Sequence, residues 1–160
     1  MPKTASILTE GVKAPGFDLA ADGGGRLKLK DFTGKTVVLY FYPKDDTAGC
    51  TREAIDFSAA EKQFAKAGAI VIGVSKDSVA QHDKFKAKHK LKVALGADED
   101  GKVVEAYGVW VEKSMYGRKY MGIERSTFLL DGKGVIRSLW RKVKVPGHVD
   151  EVLAAVKALG

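Results

Sequence analysis

Cys50, the single cysteine among the 160 residues, is the side chain with the clearest potential for chemistry. It follows a continuously apolar run at residues 36–42 and a loop at residues 43–49, and apolar residues then recur at helical spacing as far as Gly68. A thiol in the first turn of a helix lies near unpaired backbone N–H groups and the positive end of the helix dipole, and both favour the thiolate. Because the thiolate is the nucleophilic form, we interpret Cys50 as a reactive group rather than as a small buried apolar residue.

Three residues of the preceding loop could assist such a thiol. The hydroxyl of Thr47 can donate and accept hydrogen bonds at once, and it could reach both the sulfur and a bound substrate. Pro43 lacks an N–H group and has a fixed φ, so it can form one wall of a small pocket. Gly49 lets the backbone approach whatever the sulfur attacks. Each residue also has an ordinary structural explanation, as a helix cap, a strand end and a turn, so none is decisive alone.

Strand-like and helix-like patterns predict the elements that position Cys50. Strands are predicted at residues 17–20, 26–29, 36–42, 69–75, 126–130 and 135–140, and helices at residues 50–68, 78–90, 101–107 and from Pro146 to a terminating Gly160. Glycines at residues 23–25 predict a hairpin turn near the N-terminus, and a second glycine-bearing turn joins the last two strands. The strand–helix alternation predicts a parallel unit and the late hairpin an antiparallel one, so we expect an α/β fold with a mixed sheet.

The predicted fold places the loop before Cys50 at a favoured position for a site. In open α/β sheets, sites form beyond the carboxyl ends of the strands, and this loop leaves the end of the predicted central strand. We find no repeat and no linker that would divide the chain, so we expect one domain over residues 1–160. Asp77 or Ser78 is expected to cap the helix predicted at residues 78–90.

Composition and charge narrow the possible locations and partners. The net charge of +7 raises the possibility of nucleic-acid binding, but the basic residues are not interleaved with aromatic ones, and we interpret the lysines at residues 84–92 as a solvated helix face. We therefore expect no nucleic-acid partner. No apolar stretch is long enough to span a bilayer, and the first ten residues lack the pattern of a secretory signal. A single cysteine forms no internal disulfide, and we expect a cytoplasmic protein.

The motif around the cysteine is similar to that of a known enzyme family. Pro43, Thr47 and Cys50 match the P-x-x-x-T-x-x-C active-site motif of the peroxiredoxins. The longer run at residues 41–53 resembles the branch called bacterioferritin comigratory protein, or peroxiredoxin Q. The resemblance extends over nearly the whole chain and includes residues 11–17, 72–78, 106–109 and 125–131. It implies a thioredoxin-like fold with an N-terminal β-hairpin, a fold that agrees with the predicted element order.

The resemblance also implies a reaction. The Cys50 thiolate would attack a hydroperoxide and become a sulfenic acid, so the protein would be a thiol-dependent peroxidase of hydrogen peroxide and organic hydroperoxides. It implies that Arg125 lies near the sulfur and, with Thr47, stabilises the charge that moves to the leaving oxygen. From the residues alone, Arg125 would equally be a surface arginine paired with Glu124. Glu53 would either orient an arginine or be a solvated helix residue.

The resemblance bears on substrate binding and on the second half of the cycle. We assign Tyr42, Pro43 and Gly49 to substrate binding. Many members of the branch carry a second cysteine five residues after the first, but Ile55 occupies that position here. The sulfenic acid therefore requires an external thiol, from thioredoxin, glutaredoxin, glutathione or a second copy of the chain. We expect no cofactor and no metal, and the resemblance favours a monomer.

Other functions of a cysteine fit the sequence less well. A dithiol oxidoreductase needs Cys-x-x-Cys, whereas residues 47–50 are Thr-Ala-Gly-Cys. A cysteine hydrolase needs a histidine, but His82 and His89 fall on the lysine-rich helix, where we expect them to be solvated, and His148 falls early in the last helix. These three histidines and one cysteine also lack zinc-ligand spacing. A redox sensor or holdase that uses the same thiol without turnover is the non-enzymatic alternative.

Overall fold

The computed structural model describes residues 8–159, which form nine strands and five α-helices. The strands are β1 Asp18–Ala21, β2 Arg26–Lys28, β3 Thr36–Phe41, β4 Ala69–Ser75, β5 Ala94–Ala97, β6 Trp110–Met115, β7 Arg118–Ile123, β8 Ser126–Leu130 and β9 Ile136–Trp140. The helices are α1 Ala48–Ala59, α2 Glu61–Lys66, α3 Val79–His89, α4 Lys102–Ala106 and α5 His148–Leu159. Gly160, which was predicted to terminate the last helix, lies outside these residues. So do most of the first ten residues, in which no secretory signal was predicted. Among the helices described, none has the length and apolar content needed to cross a bilayer.

Seven strands form one mixed sheet, in the order β2-β1-β5-β4-β3-β8-β9. β3 pairs in parallel with β4 and antiparallel with β8, and β1 and β2 form the antiparallel N-terminal hairpin. These pairings confirm the predicted mixed sheet. β3 is the centre of the fold, since its residues face two separate apolar clusters in alternation: Val37, Leu39 and Phe41 on one side, Val38 and Tyr40 on the other. Coverage on both faces explains why the strand is apolar without interruption.

Several local features differ from the sequence prediction. One helix was predicted at residues 50–68, but α1 ends at Ala59 and α2 begins at Glu61, because the backbone at Ala60 (φ −98°, ψ 2°) leaves the α-helical range. No proline or glycine marks this break in the sequence. Strand β5 is Ala-Leu-Gly-Ala and lacks the β-branched residues on which strands are recognised. Most side chains of the β6–β7 hairpin are exposed, and charged residues interrupt its apolar ones, so it lacks the continuous apolar run from which a buried strand is predicted.

Helix α3 begins as predicted. Ser78 is its N-cap: the Ser78 side chain accepts a hydrogen bond from the backbone N–H of Gln81, and the Gln81 side chain accepts one from the backbone N–H of Ser78. This reciprocal pair satisfies two donors that the first turn would otherwise leave free. The start of α3 is therefore fixed locally, and the helix places its buried face, His82 and Phe85, against the sheet.

Candidate active site

Cys50 is the third residue of α1, at the carboxyl end of β3. The first hydrogen bond of the helix runs from the N–H of Thr51 to the carbonyl of Thr47, at 2.8 Å. The N–H groups of the residues before Thr51 therefore precede the helical ladder and concentrate positive partial charge beside the sulfur. Cys50 is only 1% exposed. The sulfur therefore lies at the positive end of α1 and is shielded from bulk water.

Arg125, in the connection between β7 and β8, contacts the sulfur. Its Nη2 donates a hydrogen bond to Cys50 Sγ at 3.3 Å, and its Nη1 donates one to Glu53 Oε1 at 2.7 Å. The alternative pairing with Glu124 is wrong, because Glu124 instead lies 3.5 Å from Arg141. One guanidinium therefore holds a fixed place between the sulfur and a carboxylate.

Glu53 lies one helical turn after Cys50 and is completely buried. Of the two alternatives left by the sequence, the solvated one is therefore excluded. Burial raises the pKa of Glu53 to about 7, against the opposing charge and hydrogen bond of Arg125. The second carboxylate oxygen, Oε2, is buried without a hydrogen-bond partner, as is the hydroxyl of the neighbouring Tyr40. The site therefore contains polar atoms that the protein itself does not satisfy.

Gly49 permits the close approach of Arg125. A Cβ atom built on Gly49 would lie 3.1 Å from Arg125 Nη2, a tighter contact than side chains normally make. Gly49 is exposed at the start of α1, so it is the nearby guanidinium, and not packing in the core, that a larger side chain would meet. From the sequence, Gly49 was expected to let the backbone approach the molecule that the sulfur attacks. In the structure, the group close to Gly49 is the Arg125 guanidinium.

Thr47 occupies the N-cap position of α1 and is exposed. Its hydroxyl donates to the carbonyl of Lys44 at 2.9 Å, and it makes no capping hydrogen bond to the helix. With its proton committed to Lys44, the Thr47 oxygen can act as an acceptor for a protonated ligand. Pro43 is half-buried in the same loop. Tyr42, by contrast, is fully buried, and its hydroxyl donates to Asp45, so direct contact with substrate does not follow from its position.

Lys113 of β6 adds a second cation that the sequence analysis did not identify. Burial lowers its pKa, the charge of Arg125 lowers it further, and Cys50 acts in the opposite direction. These interactions place the lysine in the electrostatic field of the site. The β6–β7 hairpin was not predicted, so the sequence held no signal for this placement.

His82 and His89 are less exposed than the sequence suggested, and His148 is buried. His82 was expected to be solvated, but it is completely buried, because it shares the inward face of α3 with Phe85. His89 is one-fifth exposed at its side chain and pairs with Asp46. His148 is buried against Thr127, with Nε2 2.8 Å from the Thr127 hydroxyl, and burial lowers its pKa to about 4. Among residues 8–159, none of these histidines makes a hydrogen bond to Cys50.

His82 belongs to a second polar cluster, which we call the α3 latch: Tyr42, Asp45, Asp77 and His82. Within the described part of the chain, Asp45, Asp77 and His82 are the one set of three or more such residues whose metal-ligating atoms all lie within 4.8 Å of one another. Those atoms are engaged with protein partners: His82 Nδ1 lies 2.6 Å from Asp45 Oδ2, and Asp77 Oδ2 accepts from the N–H of Asp45 at 2.8 Å. The cluster is therefore a hydrogen-bonded network within the protein.

The lysine-rich face of α3 agrees with its predicted exposure. Lys84 and Lys88 are exposed and Lys86 is partly exposed. Lys86 pairs with Asp22 at 2.7 Å and Lys88 with Asp46 at 2.8 Å. Part of the positive charge on this face is therefore balanced within the protein itself.

Comparisons with known proteins identify the family to which the chain is similar. Residues 11–139 match the model of the AhpC/TSA family. A curated relative, peroxiredoxin Bcp of Bacillus subtilis (strain 168), is 52% identical over 147 residues, which cover 92% of this chain and 94% of that protein. A solved structure of Xanthomonas campestris bacterioferritin comigratory protein, described for its alkyl peroxide reduction activity, matches with a TM-score of 0.85 and 49% identity over 89% of this chain and 91% of that one. A PrxQ variant of Xylella fastidiosa matches with a TM-score of 0.91 and 41% identity over 96% and 98%.

Proposed function

The chain belongs to the AhpC/TSA family and is a thiol-dependent peroxidase of the peroxiredoxin type, and we propose that Cys50 carries its reaction through a sulfenic acid. Its fold is the thioredoxin-like fold of the peroxiredoxins, as the resemblance implied. The observation that carries the proposal is the 3.3 Å contact between Arg125 Nη2 and Cys50 Sγ, with the guanidinium held from its other side by Glu53. This arrangement places a permanent cation at the sulfur before substrate arrives.

In the first step the Cys50 thiolate attacks the terminal oxygen of a hydroperoxide. The S–O bond forms as the O–O bond breaks, and the leaving alkoxide or hydroxide takes up a proton to become alcohol or water. Negative charge moves from sulfur to the leaving oxygen. Arg125 contacts the sulfur at the start and can donate to the oxygen as the charge moves, so its stabilisation increases in the transition state. Thr47, with its oxygen free to accept, would hold the proton of the incoming hydroperoxide.

In the second step an external thiol condenses with the sulfenic acid. Water leaves, a mixed disulfide forms on Cys50, and a second thiol releases the reduced enzyme. No second cysteine exists in the sequence to perform this step internally. We propose glutathione or a thioredoxin- or glutaredoxin-like protein as the reductant. Since Cys50 is 1% exposed, the loop or the first turn of α1 must move before such a thiol can reach the sulfur.

The substrate proposal follows the relative with known activity. The Xanthomonas campestris protein is described for alkyl peroxide reduction, and we extend that substrate class, together with hydrogen peroxide, to this chain. Pro43, Gly49 and Thr47 would surround the peroxide beside Cys50. A monomeric state and a cytoplasmic location remain predictions of the sequence.

The test is peroxide consumption with dithiothreitol as reductant. The protein as it stands is expected to consume many equivalents of cumene hydroperoxide, and Cys50→Ser is expected to consume none above the background of dithiothreitol alone. Equal rates for the two proteins would remove the catalytic assignment of Cys50. Consumption that stops after one equivalent per protein in excess dithiothreitol would favour a sensor instead of an enzyme.

A further inference from the structure

The residues of the α3 latch are not those that we expect to surround the peroxide. They nevertheless connect the active-site loop to the rest of the fold. Both ring nitrogens of His82 face acceptors. Nε2 lies 2.9 Å from the carbonyl oxygen of Gly96 on β5, and Nδ1 lies 2.6 Å from Asp45 Oδ2. A carbonyl can only accept, so Nε2 carries a hydrogen, and Nδ1 is the donor to the Asp45 carboxylate. These contacts are those of an imidazolium paired with a carboxylate.

The pair is shielded from solvent. The side chain of His82 is 0% exposed and that of Asp45 is 6% exposed. The groups that face His82 are Asp45 from the active-site loop, Asp77 from the connection between β4 and α3, the Tyr42 hydroxyl after β3, and the Gly96 carbonyl. Burial alone would lower the pKa of His82, but its hydrogen bond and charge interaction with Asp45 outweigh this, and the pKa is raised above its ordinary value.

The loop at residues 43–47 is the part of the molecule that the latch holds. Asp45 is its central residue, and its N–H and both carboxylate oxygens have partners outside the loop, in Asp77, Tyr42 and His82. Asp46, which has a positive φ of 62°, pairs with Lys88 and His89 further along α3. Those two contacts are largely exposed and are worth little compared with a buried pair. The buried contact through His82 is therefore the main attachment of the loop to α3.

We infer that His82 is a positioning residue for the peroxidase reaction: through Asp45 it holds residues 43–47 so that Pro43 and Thr47 stay in register with Cys50 and α1 keeps its first turn. The inference rests on the proposed function, because its consequence is the rate of reaction with peroxide. Loss of the imidazolium leaves Asp45 buried without its charge partner and releases the loop. The sulfur then loses its fixed surroundings and becomes open to large thiol reagents.

The experiment compares His82→Gln with the matched control His89→Gln, which removes an exposed contact to the same loop. Two rates are measured on folded protein: oxidation of Cys50 by cumene hydroperoxide, and modification of reduced Cys50 by the bulky reagent dithionitrobenzoate. His82→Gln is expected to slow oxidation and to accelerate modification, each by about tenfold or more, the scale of a small misplacement of reacting groups. His89→Gln is expected to change each rate by less than about twofold, as for an exposed pair.

The pH profile separates positioning from a general loss of structure. Because the pKa of His82 is raised, the imidazolium persists to higher pH than that of an ordinary histidine and is lost as the pH rises through the raised pKa. Oxidation by peroxide is therefore expected to decline as this pKa is passed in the wild type and in His89→Gln, and His82→Gln is expected to lack this decline. Glu53 and Lys113, which also have shifted pKa values near the site, are unchanged in all three proteins, so the difference reports on His82.

Asp45→Asn provides the second variant if His82→Gln does not fold. It keeps the size of the side chain and removes the charge partner of His82. It is therefore also expected to slow oxidation and to accelerate modification of Cys50. A folded variant with both rates unchanged, or with both rates reduced together, would overturn the inference. If the wild type consumes no peroxide, the proposed function fails, while the accessibility of Cys50 to dithionitrobenzoate still tests whether the latch holds the loop.

Discussion

Two buried ionic clusters flank the segment that carries the active cysteine, and they differ in how completely their polar atoms are satisfied. In the α3 latch, both nitrogens of His82 and both carboxylate oxygens of Asp45 have partners. Around Cys50, the Oε2 atom of Glu53 and the hydroxyl of Tyr40 are buried with none. A buried polar atom without a partner costs free energy, so a fold retains it where another requirement applies. In the functions proposed above, the satisfied cluster positions the loop, and the reaction takes place at the unsatisfied one.

The clusters also differ in charge near neutral pH. The pKa of Glu53 is raised to about 7, so its carboxyl is only partly ionised there, whereas the hydrogen bond and charge of Asp45 raise the pKa of His82 against the effect of burial and so favour the charged form of the latch. A partly ionised Glu53 competes weakly for the guanidinium of Arg125. The cation is therefore more available to the sulfur and to the oxygen that leaves it.

Removal of Arg125, in the cluster around Cys50, is expected to have the largest effect on the rate of oxidation. Arg125→Ala takes away the group that links Cys50 to Glu53, and the rate of oxidation by cumene hydroperoxide is expected to fall by about 10²- to 10³-fold, the usual loss for a transition-state donor. Arg141→Ala is the matched control, because Arg141 pairs with Glu124 instead of the sulfur. Stopped-flow measurement of Cys50 oxidation gives both rates. Similar rates for the two variants would show that the guanidinium at the sulfur contributes nothing to the reaction.

Glu53→Gln tests the cluster around Cys50 through its effect on the free energy of unfolding. With a folded pKa of about 7 and an ordinary value of 4.5, the native state binds more protons than the unfolded state between these values, so the free energy of unfolding falls as the pH rises through this window. The loss amounts to about 3 kcal/mol. Glu53→Gln is expected to remove it, and Glu105→Gln, on the surface of α4, is expected to retain it.

Urea unfolding of these three proteins across this pH window measures how steeply the free energy of unfolding changes with pH. His148 contributes in the opposite direction, since its lowered pKa makes stability fall as the pH falls from 6.5 towards about 4, but this contribution is common to all three. The difference between wild type and Glu53→Gln therefore isolates Glu53. A difference that does not change with pH would show that the buried carboxyl does not titrate in this range.

Gly49→Ala is expected to produce the smallest change and to separate stability from activity. Alanine is the better helix former, but its Cβ crowds Arg125, so the two effects oppose each other and the stability is expected to change by less than about 1 kcal/mol. Its Cβ would meet Arg125 Nη2 at 3.1 Å, so the guanidinium must shift and oxidation by peroxide is expected to slow by a few fold. Gly16→Ala, where a Cβ meets nothing within 4 Å, is the control for activity. An unchanged oxidation rate in Gly49→Ala would show that the exact place of the guanidinium is unimportant.

The strand, loop and helix around Cys50 were predictable from the sequence, because each depends on local signals. Residues 36–42 are apolar on both faces, Pro43 ends the strand, and Ser78 caps α3 with its Gln81 partner. The family motif then identified Arg125, which no local pattern would have placed near the sulfur.

The second cluster was not predictable, for a physical reason. His82 stands among lysines, and only the rotation of α3 against the sheet determines that its side chain faces inward. Its partners Asp45 and Gly96 lie 37 and 14 residues away in the chain. Glu53 was left between two alternatives for the same reason, since burial of a charged residue depends on tertiary contacts that are not visible in a single sequence.

The most direct test of the central claim is trapping of the oxidised sulfur. The protein is mixed with one equivalent of cumene hydroperoxide in the presence of dimedone, which reacts with sulfenic acids, and the site of modification is located by mass spectrometry of its peptides. We expect a single dimedone adduct on Cys50 that requires peroxide and is absent from Cys50→Ser. Consumption of the peroxide without any adduct on Cys50, or an equal rate of consumption by Cys50→Ser, would contradict the account.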